Sequence, residues 1–317
     1  MKMRSLGHPD IETAPIVFGG NVFGWTLDEK QSFAMIDAWL DAGFNAIDTA
    51  DVYSRWVAGN VGGESETILG KWFKQSGRRD EVVLASKVGS DLGDGKKGLS
   101  KVYIPQAVED SLRRLQTDYL DVYFSHQDDP DTPLEETLEA YDRLIEQGKV
   151  RMIAASNYSG ARLTEALEVS QQKGLPAYRC LQPFYNLYDR EDFERDLAPV
   201  CRDHDIAVVP YFSLASGFLT GKYRSREDAR GQARADFIGK YFDAKGIRIL
   251  DALDSVSKRY DTQPAAVALA WLMAQPTITA PIASASKPHH LDALKAACEL
   301  ELDEEALRTL DEASRAA

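Results

Sequence analysis

Eight short apolar runs alternate with eight helix-like runs from one end of the chain to the other, and that alternation restricts the fold more than any single residue does. The runs at 16–18, 46–47, 82–85, 120–124, 152–155, 179–181, 206–209 and 278–282 are rich in Val, Ile, Ala and Leu. They lack the polar alternation of a half-exposed strand, as expected for parallel strands covered on both faces. Amphipathic segments at 28–41, 64–74, 105–115, 132–147, 161–171, 190–203, 247–260 with 264–273, and 288–297 follow them at helical spacing. No unit resembles another, which excludes a repeat array. Eight β-then-α units predict an α/β protein with a closed (β/α)8 TIM barrel. The whole of 1–317 reads as a single barrel domain, with an extra C-terminal helix at 303–314. A doubly wound open sheet is the alternative.

In a barrel the strand C-termini converge on one mouth, where active sites lie. Polar residues collect just past the apolar runs: Asp48, Ser86, Lys87, Ser125, His126, Ser156, Asn157, Gln182, Tyr211 and Ser213. Tyr53 lies five residues beyond Asp48, on the following turn. This set suits proton transfer coupled to hydride transfer. A carbonyl carbon that receives hydride leaves an alkoxide in need of a proton, and Tyr53 is placed to give it. A free phenol has a pKa of about 10, so Lys87 beside it is expected to lower that value. Asp48 would hold Lys87 in place, and His126 would orient the substrate oxygen. A structural Asp48–Lys87 salt bridge is the bland reading of the same pair.

Trp25, Trp56, Phe124, Gln127 and Phe184 fall on segments next to this mouth and suggest an aromatic pocket for an aldehyde, ketone or sugar-like carbonyl. The long connections 53–63, 89–104 and 221–245 all follow strands. Loop 224–242, with Arg224, Arg226, Arg230 and Arg234, is a candidate lid.

Fifty acidic against 37 basic residues give a net charge of −13, which argues against a grip on nucleic acid or anionic lipid. No apolar run is long enough to span a membrane, and the first residues hold no apolar leader. Three scattered cysteines suggest a reducing, cytoplasmic setting and no zinc cluster. Gly93, Gly95 and Gly98 spell G-x-G-x-x-G, but no strand runs directly into them, so they read as loop. His289 and His290 are adjacent and cannot share a helix face, so no metal site is expected.

The chain resembles the aldo-keto reductase superfamily over essentially its whole length. The residues that carry this are G-F-N-A-I-D-T-A-D-V-Y at 43–53, G-G-E-S-E at 62–66, A-S-K at 85–87 and L-R-R-L-Q-T-D-Y-L-D-V-Y-F-S-H at 112–126. G-K-V-R-M-I-A-A-S-N at 148–157, Q-P-F-Y-N at 182–186 and L-A-S-G-F-L-T-G-K-Y at 214–223 match as well. The resemblance implies a catalytic tetrad of Asp48, Tyr53, Lys87 and His126, reducing an aldehyde or ketone or running in reverse. It implies NADP(H) at the barrel mouth, with NAD(H) possible, and neither metal nor flavin. Ser156, Asn157 and Gln182 would then hold the nicotinamide carboxamide, and Tyr211 would stack on its ring. Ser213, Leu214, Gly217 and Lys222 would surround the pyrophosphate, with Gly20, Asp48, Phe212 and Ser284 also at the cofactor. Lys287 and Ser286 would meet a 2′-phosphate. His290 stands where such proteins usually carry Gln or Glu, and Leu294 where they carry Asn, which implies weaker rejection of NADH. Two alternatives share the fold: a cofactor-binding regulatory subunit of an ion channel, and a sugar-phosphate isomerase.

Overall fold

The computed structural model describes residues 1–232 and 234–315. Its eight parallel strands are β1 (Val17–Gly19), β2 (Ala46–Asp48), β3 (Val83–Val88), β4 (Leu120–Ser125), β5 (Val150–Ser156), β6 (Cys180–Gln182), β7 (Ala207–Val208) and β8 (Ile282–Ala283). Each pairs with its neighbour in the chain, and β8 returns to pair with β1. Thr279 and Ala280 donate backbone N–H to Val208 O, and Ile282 donates to Pro210 O at 2.9 Å. These bonds close the sheet between β7 and β8, so the architecture is the predicted (β/α)8 barrel.

The connecting helices are α1 (Glu29–Asp41), α2 (Glu64–Ser76), α3 (Tyr103–Leu115), α4 (Leu134–Glu146), α5 (Gly160–Lys173), α6 (Ala198–Asp203), α7 (Ala244–Arg259), α8 (Pro264–Ala274) and α9 (His290–Glu299). Local chemistry sets their ends. Asp28 and Gln31 form a reciprocal capping box at the start of α1. Gly77, left-handed at φ 68°, stops α2. α8 is buried over almost its whole circumference and carries no amphipathic signal. Within the predicted helix 190–203 the chain widens before α6, where Ala198 N–H reaches back to Phe193 O. Pro199 follows at once and has no N–H to continue the normal ladder.

Strand parity decides which side chains reach the barrel interior. Val17, Ala46, Ala85, Val122, Phe124, Met152, Ala154, Cys180 and Ala207 form an inner cluster. Ile47, Leu84, Val88, Tyr123, Ile153, Ala155 and Leu181 face the helices. Side chains two apart share a face, so Asp48, Lys87, Ser156 and Gln182 continue the inner set at its C-terminal end. The register agrees, pairing Asp48 with Ala85, Lys87 with Phe124 and Ser156 with Gln182.

The same parity removes two residues from the expected mouth. Ser86 points outward and donates to Glu66 of α2 at 2.5 Å. Ser125 also points outward, bonded to the Tyr141 and Tyr178 hydroxyls at 2.8 and 2.7 Å. Neither lines the site, because an offset of one residue along a strand moves a side chain to the opposite face.

Two elements lie outside the eight β-then-α units. An antiparallel hairpin, Arg4–His8 with Ile11–Thr13, precedes the barrel. Its Leu6 and Ile11 join the inner cluster, and the hairpin contacts β7 and β3. The expected C-terminal helix, α10 (Glu304–Ser314), packs on α7. Trp271 and Arg190 both bond its Asp311, at 3.0 and 2.7 Å.

Candidate active site

Lys87 is fully buried at the end of β3, and its ammonium is satisfied three ways. It donates to Asp48 Oδ2 at 2.6 Å, to Tyr53 OH at 2.8 Å and to Thr49 O at 2.8 Å. Tyr53 OH in turn donates to Asp48 Oδ2 at 3.1 Å. Asp48 Oδ1 accepts from Gln182 Nε2 at 2.9 Å, across 134 residues of sequence. A buried ion pair is tolerable only when such bonds satisfy both partners, and here all three ammonium protons and both carboxylate oxygens are engaged.

Tyr53 is half-buried, with its ring at the mouth, 6.0 Å from His126 and 6.0 Å from Trp56, centroid to centroid. Burial, and then the Asp48 carboxylate beside it, push the phenol well above its ordinary range. Burial also lowers Lys87, against the opposing pull of Asp48. The net shift is thus upward, opposite to the lowering expected from Lys87, because burial and the Asp48 carboxylate, whose Oδ2 the phenol shares with Lys87, dominate. Burial, then the Lys87 charge, hold His126 well below its usual value, so the ring is neutral. Its Nδ1 is buried without a partner among the described residues.

The residues expected to hold a nicotinamide form one connected network. Asn157, at φ 55°, donates to His126 O at 2.8 Å and to Ser156 Oγ at 3.2 Å. Its Oδ1 accepts from Tyr211 OH at 2.7 Å. Ser156 Oγ donates to Gln182 O at 2.8 Å. Ser156 and Gln182 are buried, whereas Asn157 is exposed at the rim. Phe212, also left-handed, packs 5.3 Å from Phe184.

The remaining expected cofactor residues lie around this rim. Gly20 is buried so tightly that a Cβ there would meet Asp48 O at 2.9 Å. Ser213 donates to Pro210 O at 3.0 Å, and Leu214 packs against the outer core. Gly217, at φ 98°, occupies a turn that only glycine adopts freely, beside Lys222. Ser284 Oγ lies 2.8 Å from Gly19 O and 2.9 Å from Asn21 Oδ1. Ser286 N–H donates to His290 Nδ1 at 3.3 Å. Burial lowers His290, and the charges of Lys222 and Lys287 add to that shift. Neither lysine has an ion-pair partner among the described residues, so positive charge gathers here unopposed.

The expected substrate wall divides. Trp25 and Trp56 meet edge to face at 5.6 Å, and Phe184 lies 5.5 Å from Tyr211. Gln127 is exposed at the rim. Phe124 is 2% exposed and belongs to the barrel interior beneath Lys87. It supports the site and offers no surface to a substrate, because strand parity sends it inward. The sequence does not single out Thr49, and it names Arg234 only as one of four arginines of a candidate lid. Thr49 acts through a backbone carbonyl, which no side-chain pattern reveals. Arg234 reaches the site through a loop and stacks 5.3 Å from the Trp25 ring.

A family model described as Aldo/keto reductase family matches residues 15–315. Among known proteins, the uncharacterized oxidoreductase YrpG of Bacillus subtilis is 36% identical over 98% of this chain and 95% of its own length. The aldo-keto reductase YhdN of the same organism is 34% identical over 93% of this chain and 88% of its own. A rice protein (Oryza sativa subsp. japonica) described as a probable voltage-gated potassium channel subunit beta is 31% identical over 92% and 89%.

Proposed function

The chain belongs to the aldo/keto reductase family, and we propose on that footing that it reduces an aldehyde or ketone to an alcohol, or runs the reverse reaction. The observation that carries this reading is the phenol of Tyr53 at the mouth, in bonding contact with a buried cation and a buried carboxylate. NADP(H) is the preferred cofactor in this reading, with NAD(H) accepted. The residues fit such a group: Ser156, Asn157 and Gln182 bring amide and hydroxyl groups beside an aromatic face, Tyr211. The unopposed charges of Lys222 and Lys287 suit phosphate. When bound, the nicotinamide supplies or accepts hydride at its ring carbon.

The protein's own part is the proton. The raised phenol keeps Tyr53 protonated at neutral pH, ready as a general acid. An alkoxide is far more basic than a phenolate, so transfer from the phenol to the nascent alkoxide runs downhill. The phenolate left behind is met at once by the Lys87 ammonium, already within 2.8 Å. Asp48 fixes that ammonium, and Gln182 fixes Asp48. Neutral His126 offers an N–H to the substrate oxygen and orients it.

The test is a tryptophan-quenching titration with NADPH and with NADH, followed by turnover on a panel of aldehydes and ketones. Tight NADPH binding, weaker NADH binding and carbonyl-dependent NADPH consumption support the reading. Binding of neither dinucleotide, with isomerisation of a sugar phosphate in their absence, would replace it. A second reading, a cofactor-binding regulatory subunit, draws on the rice relative described as a channel subunit. Stable capture of a membrane protein together with negligible turnover on the panel would favour it.

A further inference from the structure

The turn that sets Asp48 inward and Tyr53 at the mouth sends a third polar side chain elsewhere. Asp51 lies on the wall of a separate cavity of about 420 Å³, shared with Tyr103, Asp110 and Arg114 of α3 and with Asp94 and Lys96 of the loop before it. No member of the tetrad is among the described residues that line it. Asp51 is 1% exposed, and neither carboxylate oxygen has a partner among the described residues. Glu66 of α2 is just as buried but fully satisfied. Ser86 Oγ donates to its Oε1 at 2.5 Å, and Arg114 Nε donates to its Oε2 at 2.6 Å. Arg114, the cation on the wall beside Asp51, is thus paired with the other acid. Two carboxylates do not both ionise cheaply beside one cation, and a buried carboxylate without donors ionises at high cost. Burial, then the Glu66 charge, push Asp51 well up, against the weaker pull of Arg114 and Lys87. Burial, then Asp51, also raise the phenols that face it, Tyr103 of α3 and Tyr123 of β4, so neither competes for its proton.

Asp51 is tied to the reacting pair through the backbone. Its N–H donates to Lys87 O at 3.4 Å, and Tyr53 N–H closes the turn on Ala50 O at 3.2 Å. A negative charge at Asp51 adds to the effects of burial and Asp48 on Tyr53, and joins Asp48 in opposing the effect of burial on Lys87. We propose that Asp51 is a positioning residue for this pair: by holding a proton it withholds a second negative charge from Lys87 and Tyr53, and by losing that proton into the cavity it restores the charge and slows the chemistry. The proposal rests on the reductase reading. In reduction Tyr53 becomes a phenolate, which a nearby anion disfavours. In oxidation the phenolate must form first, and the same anion makes it scarcer. The proton passes between a carboxyl oxygen and solvent water, so one O–H bond breaks, one forms and nothing else is consumed. Val61, Asp94 and Lys96 are exposed on the cavity rim, so this exchange does not need the mouth.

The test compares wild type with Asp51→Asn, which keeps the shape of the side chain and stays neutral at every pH. Single-turnover reduction at saturating NADPH and alcohol oxidation at saturating NADP⁺ are followed across pH. In wild type, reduction should fall by about threefold to tenfold through an ionisation that precedes that of the phenol, the range of one charge acting without contact. Asp51→Asn should lack this step. On the alkaline rise of oxidation it should run about threefold to tenfold faster than wild type at the same pH. Infrared spectra give a readout free of turnover. Wild type should show the carbonyl band of a protonated carboxyl at neutral pH, fading with rising pH in step with the reduction rate, and Asp51→Asn should lack the band. If the variant does not fold, the coincidence of band and rate in wild type decides the matter. Absence of the band from wild type overturns the proposal, as does a band whose loss leaves the rate unchanged. A variant altered by the same factor at every pH assigns Asp51 to packing and overturns it too. If the band is present but no aldehyde, ketone or alcohol reacts with either dinucleotide, the reductase reading itself fails and takes this proposal with it.

Discussion

Replacing Tyr53 by Phe isolates the proposed proton donor, because the surrounding charges survive the loss of one hydroxyl. Lys87 keeps Asp48 and Thr49 O as acceptors, and Asp48 keeps Lys87 and Gln182 as donors. The ring keeps its edge contacts with Trp56 and His126. Two hydrogen bonds disappear, so the stability loss is on the order of 1–3 kcal/mol, inside the roughly 5–15 kcal/mol of a typical domain. The catalytic loss is larger. General-acid catalysis contributes about a hundred- to ten-thousandfold, or roughly 3–5 kcal/mol of transition-state stabilisation. The assay is single-turnover reduction with enzyme in excess over aldehyde, so that product release cannot hide the chemical step. NADPH affinity, from tryptophan quenching, should shift little. The pH profile adds a second check. A phenol raised above its usual pKa of about 10 stays protonated, so the Tyr53 term in reduction should be flat through neutral pH. Alcohol oxidation needs the phenolate and should climb with pH. A single-turnover rate for Tyr53→Phe within about threefold of wild type would refute the assignment of Tyr53 as the acid.

Three other substitutions probe the cofactor end, a buried acid and the packing. Lys287→Ala should weaken NADPH by about tenfold, the range of one charge-assisted contact, and leave NADH little changed; equal losses for the two would remove Lys287 from the phosphate. Asp51 is 1% exposed, and neither carboxylate oxygen has a partner among the described residues. Burial, then Glu66, raise its pKa well above normal, so the native state binds that proton more tightly than the unfolded chain does. Its contribution is therefore full below the unfolded value of about 3.9 and is lost as pH rises through the raised native value. Asp51→Asn should gain on wild type with rising pH, by on the order of 1 kcal/mol at neutrality, seen as a Tm difference that widens between acid and neutral buffer; a constant difference would count against it. A Cβ at Gly70 would lie 2.0 Å from Arg114 O, where α2 crosses α3. Gly70→Ala should cost about 1–3 kcal/mol or more as the helices separate, measured by denaturant midpoint, and an unchanged midpoint would show that the helices give way freely.

The sequence made the barrel and most of the tetrad's neighbourhood legible because both depend on short-range rules. Apolar runs without alternation mark covered parallel strands, and polar residues at their ends mark a mouth. Parity was harder to read. Ending the third strand near Ala85, when it runs to Val88, gave no means of telling that Ser86 faces α2 while Lys87 faces inward. The hairpin escaped notice because R-S-L-G-H and I-E-T hold one buried apolar residue each, far too little to read as strands. The Gln182–Asp48 bond joins groups 134 residues apart and exists only once the ring closes. The sign of the Tyr53 shift turned on whether burial and an anion at 3.1 Å outweigh a cation at 2.8 Å. A list of nearby residue types does not settle that contest.

How each cation is satisfied sorts the positive groups of this acidic chain more sharply than their sequence positions do. Lys87 is buried and wholly paired, so its charge is fixed in place and serves whatever negative charge develops on the phenol beside it. Lys222 and Lys287 bear together on His290, and neither has an ion-pair partner among the described residues. Arg234 is half-buried over an aromatic face, with no ion-pair partner among the described residues. An exposed lysine without a partner means little by itself. Cations that converge, or that are withdrawn from water, in a chain of net charge −13 raise the potential at the mouth against the field of the whole molecule. Anionic ligands are the groups such local potentials favour. In the proposed reading the paired cation serves the chemistry and the unpaired lysines serve binding. Raising ionic strength should therefore weaken NADPH binding, while the single-turnover rate at saturation, set by the screened and buried Tyr53–Lys87 pair, should hold.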